Sequence, residues 1–334
     1  MGYALSLLDK SPIFDGQTAS IALKRTVALA KQAEKWGFHR FWVAEHHDTS
    51  GVASSSPEVL IAFLAANTSR IRIGSGGVML QHYSPYKVAE NFNVLAALAP
   101  DRIDLGVGKA PGGLPFSTRA LQGLLARPEK PDFAAQLAQL SAFLDDTLPS
   151  VHPLAGVKAT PVPAVSVQRF LLGASVDSAE LAAAQGWAFV FASHLNGDEE
   201  VLRQTLDAYR EKAPDGRPIL AVGVVAAETD AEAERLAGNL EHFKVHVNGG
   251  QSVTVGSVEQ AKEYARQSGA RDYRIEKKIP NVIRGSARKV IADLDHLHER
   301  YGISEFIIDT PINDAARRLA SIELLAQAQY AVAA

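Results

Sequence analysis

Cysteine is missing from all 334 residues. Its absence excludes disulfides, thiolate nucleophiles, iron–sulfur clusters and zinc–cysteine sites together. It is also compatible with a cytoplasmic location. A surplus of positive charge is missing too. The formal net charge is −3, so no global basic field invites nucleic acid or an anionic membrane. No run approaches the roughly 18 apolar residues of a membrane helix. The opening Met1-Gly2-Tyr3-Ala4-Leu5-Ser6 matches a myristoylation pattern, but it reads more simply as the lead into a buried strand starting at Tyr3. That apolar run stops at Asp9-Lys10, too short and wrongly flanked for a secretory signal. Low-complexity tracts and flexible linkers are absent as well. The expectation is a soluble protein with ample core, because 47% of residues are hydrophobic and 21% charged, ordinary fractions for a globular chain.

What is present is an alternation. Strand-like runs fall at Tyr3–Leu8, Arg40–Ala44, Ile71–Leu80, Ile103–Val107, Arg169–Gly173, Ala188–Ala192, Ile219–Ala226 and Glu305–Asp309. Helical periodicity lies between them. Leu23, Val27, Ala30 and Ala33 form one face, with Thr18 as a start signal and Gly37 as a stop. Val290, Leu294, Leu297 and Tyr301 form another, opened by Ser286. Strands alternating with helices imply a parallel sheet, and eight repeats imply a (β/α)8 TIM barrel. The chain is expected to be one barrel domain over residues 1–334. Two longer excursions, about 110–168 between strands four and five and about 230–303 between strands seven and eight, read as insertions around the barrel mouth. Neither shows a strand set of its own. The later one contains the polar turn Asn248-Gly249-Gly250-Gln251 and at least three helical patterns.

Four places break local rules. Phe41-Trp42-Val43-Ala44 runs into Glu45-His46-His47-Asp48, an apolar strand ending in four ionisable residues, as barrels present catalytic groups. Adjacent strand residues point to opposite faces, which disfavours a metal cluster. A hydrogen-bonded polar strand end remains, as does an imidazole or carboxylate that moves a proton near neutral pH. Gly74-Ser75-Gly76-Gly77 lies where β-branched residues would pack better; it is either a sharp bulge or a floor on which a flat ligand meets bare backbone. Ser75 lacks the surroundings of an esterase nucleophile. Gly106-Val107-Gly108-Lys109-Ala110-Pro111-Gly112-Gly113 superficially resembles a dinucleotide fingerprint, but its spacing and prolines 111 and 115 argue against one. Lys109 places a cation after a strand, either solvated or facing a ligand. Gly173-Ala174-Ser175-Val176-Asp177-Ser178 opens a helical run over Ala179–Gln185, where Ser175 and Ser178 cap the helix or bind phosphate. His242 and His246 have helical spacing, but Phe243 stands where a zinc protease has Glu, so they read as surface histidines.

Taken in order, FWVAEHH, IRIGSGGVMLQHYSPYKVAENFNVL and PDRIDLGVGKAPGG resemble the bacterial-luciferase-like flavin monooxygenase family. The resemblance implies a dimeric (β/α)8 barrel binding FMN at its carboxyl-terminal rim. Glu45, His46 and His47 match the family's Glu-His-His strand end, with His46 the catalytic histidine. Gly76 and Gly77 match a pair joined by a non-proline cis peptide beneath the isoalloxazine ring. Lys109 falls where the family has an arginine facing the flavin phosphate, keeping the charge without the bidentate fork. Gly173, Ala174, Ser175 and Ser178 match the phosphate-binding turn, and residues 230–303 include the region of a mobile lid. The implied reaction uses reduced FMN from a separate reductase and O2. It passes through a C4a-peroxyflavin and oxygenates a small organic substrate, with no implication of light emission. Alternatives are a hydride-transferring oxidoreductase using the deazaflavin F420, a non-catalytic flavin-binding protein, and a metal-dependent barrel hydrolase.

Overall fold

A computed structural model describes residues 2–123, 131–238, 240–247 and 252–333. Eight parallel strands close on themselves in chain order: Ala4–Asp9, Arg40–Val43, Arg72–Ser75, Ile103–Gly108, Gln168–Gly173, Ala188–Ala192, Ile219–Ala227 and Glu305–Asp309. Closure comes from the pairing of the first strand with the eighth, Leu5 beside Phe306 and Leu7 beside Ile308. This is the expected TIM barrel. Helices wrap the outside, and each is held by the apolar stripe its sequence predicts. In helix Ala19–Lys35, Thr18 caps the start by accepting from the Ile21 N–H, and Ala30 and Ala33 are fully buried. Gly37 follows with a positive φ of 72°, a conformation open to glycine at little cost. None of the helices described is long and apolar enough to cross a membrane.

The third strand differs from the continuous run expected over Ile71–Leu80. It breaks after Ser75 at a cis Gly76–Gly77 bond, and a short piece, Val78–Met79, resumes pairing with Val107 and Gly108 of the fourth strand. A Cβ on Gly77 would stand 2.9 Å from the Gly106 carbonyl oxygen, so the two backbones approach to a distance only glycine permits. The Ser75 hydroxyl replaces the interrupted ladder. It donates to the Gly106 carbonyl at 2.8 Å and accepts from the Gly106 N–H at 3.0 Å.

The excursion after the seventh strand also departs from expectation. Residues 242–278 do contain strands of their own: Ser252–Val255 and Tyr273–Lys278 flank His242–Val247 in an antiparallel sheet, backed by helix Val258–Gln267. The polar turn Asn248–Gln251 lies outside the described residues. This small sheet reaches across the barrel to the segment after the fourth strand, where the Phe116 N–H donates to the Gln267 side chain at 2.8 Å and Leu114 joins the small apolar cluster. In the other excursion, helices Pro115–Gln122 and Phe133–Asp145 form.

Inside the barrel, the amino-terminal ends of the strands carry charge. Arg40 donates through Nε and Nη2 to both oxygens of Glu305 (2.7 and 3.0 Å) and through Nη1 to Asp104 (2.9 Å). Asp104 also accepts from Arg72 and from the Trp42 indole, each at 2.9 Å. Trp42 and Phe170 stack over this ionic layer, and Leu8, Val190, Ala221 and Ile307 continue upward. Removing one partner of such a buried set leaves uncompensated charge, which costs about 3–5 kcal/mol. Arg40→Met, measured by urea unfolding at neutral pH, should lower stability by roughly that amount; a loss under about 1 kcal/mol would mean the layer is wetter than its burial indicates.

Candidate active site

The carboxyl-terminal ends of the strands surround a cavity of about 380 Å³. Glu45, His46, Gly76, Gly77, Lys109, Gly173, Ala174 and Ser178 of the sequence-predicted set line it, while His47 and Ser175 do not. The charged strand end therefore divides. Glu45 is buried and its carboxylate accepts from the Met79 N–H (3.0 Å), the Tyr83 hydroxyl (2.7 Å) and the His47 ring Nε2 (2.7 Å). Because a carboxylate only accepts, that contact puts the His47 proton on Nε2. Burial, then the Glu45 carboxylate, pushes the Tyr83 hydroxyl well above the usual phenol range. His46 makes none of these side-chain contacts. Its backbone N–H is tied to the Ser54 carbonyl at 2.8 Å, but its Nδ1 is buried without a hydrogen-bond partner. Burial, followed by the nearby Lys10 charge, lowers the His46 pKa to about 4, so the ring is neutral at physiological pH.

Much of the remaining lining is glycine. Gly76, Gly77, Gly108, Gly112 and Gly173 all face the cavity. A Cβ on Gly76 would press on Leu8 and Trp42 at 2.9 Å, and one on Gly173 would meet the Ser178 Cβ at 2.4 Å. The second contact explains how helix Val176–Ala184 brings its amino terminus to the rim. Ser175 caps that helix, accepting from the Ser178 N–H at 3.4 Å, and its hydroxyl lies 3.1 Å from that of Ser178. Bare backbone, the Lys109 cation and a helix amino terminus with a hydroxyl suit a flat cofactor carrying a phosphate. The residues present fit FMN.

Three residues at the mouth were not singled out from sequence. Lys10, after the first strand, pairs with Asp309 at the end of the eighth at 2.5 Å. His194, after the sixth, places its Nδ1 3.3 Å from the Ala221 carbonyl. Burial, then Lys10, lowers the His194 pKa to about 4. Burial alone would raise Asp309, but Lys10, His194 and Arg318 hold it below the usual carboxylate range. His242 is a correction. It sits on a strand, not a helix, half-buried, with its pKa lowered by burial and by Lys10; its neighbour His246 pairs with Glu276 at 3.2 Å. Each of Lys10, His194 and Asp309 ends or follows a barrel strand, the signal that picked out Glu45–Asp48.

Residues 5–302 match the family model described as luciferase-like monooxygenase. The chain belongs to the luciferase-like monooxygenase family. Among curated members, it is 46% identical over 330 residues to an N-acetyl-S-alkylcysteine monooxygenase of Bacillus subtilis, covering 98% of both chains. It is 35% identical to a luciferase-like monooxygenase of Escherichia coli, covering 96% of this chain and 95% of that one. Among solved structures, apo-MsnO8 superposes with a TM-score of 0.77 at 34% identity, covering 98% and 97% of the two chains. At 17% identity the oxygenating constituent of 3,6-diketocamphane monooxygenase, in complex with FMN, shares the fold with a TM-score of 0.68 over 98% of this chain and 97% of that one.

The two depressed histidines carry a pH signature. A histidine with a lowered native pKa binds fewer protons folded than unfolded between that value and the unfolded value of about 6.5. Its stabilising contribution is therefore complete above the unfolded value and is lost as pH falls toward about 4. Melting temperature should drop from pH 7 to pH 4.5, and less steeply in His194→Gln; equal slopes in the two proteins would remove His194 from this account.

Proposed function

We propose that this protein is an FMN-dependent monooxygenase acting on a small thioether of the N-acyl-S-alkylcysteine class. The observation that carries the substrate class is the 46% identity to the Bacillus subtilis enzyme, sustained over 98% of both chains. A glycine-rich cavity lining, together with a neutral imidazole whose Nδ1 has no partner, supports the cofactor reading. Reduced FMN, when bound, supplies the two electrons by which one atom of O2 enters the substrate and the other leaves as water. A separate flavin reductase would furnish it, because the described residues fold as a barrel without a dinucleotide-binding unit.

The protein's own groups then divide the work. Gly76 and Gly77 give the ring a flat seat, and Lys109 with Ser178 and the helix amino terminus hold the phosphate. Glu45 and His47 position the strand end. His46 accepts or returns a proton at its free ring nitrogen, which its low pKa keeps available. The sheet of residues 242–278, lying over the mouth, limits water entry, which otherwise competes with oxygen transfer. General acid–base groups contribute about 10²–10⁴-fold. His46→Ala should lose product formation in that range while hydrogen peroxide release rises and FMN still binds. Unchanged oxygenation of N-acetyl-S-ethylcysteine, followed by mass spectrometry with a reductase and labelled O2, would remove His46 from the chemistry.

The assembly we propose is a homodimer. Val59 and Phe63 on helix Pro57–Asn67 are 69% and 59% exposed, and Leu98 at the end of helix Pro85–Leu98, which packs beside it, is 71% exposed. Apolar side chains grouped in this way mark an interface. Phe63→Glu should shift the mass measured by light scattering from two chains to one.

A further inference from the structure

Lys10 is a mouth residue whose chemistry the flavin site does not use. It follows the first strand, whereas Lys109 and Ser178 follow the fourth and fifth, so the two cations enter the cavity from well-separated strands of an eight-stranded ring. Among the described residues Asp309 is the one acceptor Lys10 reaches, which leaves two of its three N–H donors uncommitted. The pair is also asymmetric. The Lys10 side chain is 34% exposed and lines the cavity, while that of Asp309 is 10% exposed behind it. The positive end of the pair is the one presented to the cavity.

The neighbours of Lys10 fit an amphipathic guest. His46 and His194 sense its charge, and neither ring commits both nitrogens to protein partners. Leu195 lines the same cavity yet is 60% exposed, an apolar surface without cover. Leu8, Val190 and Ile307 continue that apolar side downward.

We propose that Lys10, held in place by Asp309, is the anchor for the substrate's carboxylate, so that the enzyme takes the free acid of an N-acyl amino-acid thioether with its S-alkyl group against the Leu195 side. This rests on the substrate class proposed above. An ammonium–carboxylate contact is a charge-assisted hydrogen bond, about twice as strong as a neutral one. Losing it should weaken binding roughly ten- to hundredfold.

The test is calorimetric binding of N-acetyl-S-ethylcysteine and of its methyl ester, with and without oxidised FMN, to the wild type, Lys10→Met and Lys10→Arg, each first shown to be folded by circular dichroism. The wild type should prefer the acid roughly ten- to hundredfold. Lys10→Met should bind acid and ester alike, and Lys10→Arg should keep the preference. An acid preference that survives Lys10→Met overturns the anchor. So does loss of FMN affinity in that variant, which would assign Lys10 to the cofactor, and so does failure of either form to bind the wild type. Turnover with a reductase separates the two readings. Acid that binds through Lys10 but gains no oxygen would sink the proposed reaction and leave the anchor standing. Oxygenation of acid and ester with no preference would sink the anchor and leave the reaction standing.

Discussion

The Glu45 carboxylate is the pin on which the site's geometry depends. It takes three hydrogen bonds from three places: the backbone beyond the cis peptide at Met79, the hydroxyl of Tyr83 and the ring of His47. A buried carboxylate without donors would be costly, and a Met79 N–H without an acceptor would cost nearly as much as a lost hydrogen bond. Each group therefore enforces the place of the others. The resumed strand piece Val78–Met79 stays in register with Val107 and Gly108, and the glycine pair between Ser75 and Val78 lines the cavity. Glu45 holds His47 directly, while His46 stays outside that set with its Nδ1 unpartnered.

The barrel separates its charges by depth. The lower layer is a closed ionic set in which Arg40, Asp104, Glu305 and Arg72 satisfy one another. Such a set gives little net stability compared with apolar packing, but it fills the interior and leaves no path through the bottom. Trp42 links the two levels, because its indole bonds Asp104 below while its ring floors the cavity above. A ligand can thus enter only from the mouth. The upper groups are different in kind: a neutral imidazole with an open nitrogen, an ammonium with spare donors, and helix and loop N–H groups without carbonyl partners.

Much of this was legible because each element carried its own signal. Eight apolar runs separated by helical faces announced the barrel, and Gly76-Gly77 announced the break in the third strand. The sheet of residues 242–278 was not legible for a definite reason. In His242-Phe243-Lys244-Val245-His246-Val247, residues four apart share a face on a strand as they do on a helix, and the histidines drew attention to the longer spacing. The alternation was present: Val245 and Val247 are buried while the residues between them are not. Lys10, His194 and Asp309 escaped notice for another reason. They are almost 300 residues apart at the extremes, and nothing local says that strands one, six and eight bring them to one mouth. Barrel closure supplies that juxtaposition.

Burial decides which mouth groups carry charge, and so how two anions could be sorted. Low dielectric removes the proton from His46 and His194, which leaves them as polar, uncharged contacts. Asp309 is held below the usual carboxylate range because the Lys10 and Arg318 cations outweigh its burial. Two cations face the cavity from well-separated strands. Lys109 stands beside a helix amino terminus whose free N–H groups suit the doubly charged, multi-oxygen head of a phosphate. Lys10 stands beside a counter-ion that halves its appetite for high charge, and beside apolar Leu195. A phosphate is better served at the first pole and a single carboxylate with an alkyl tail at the second.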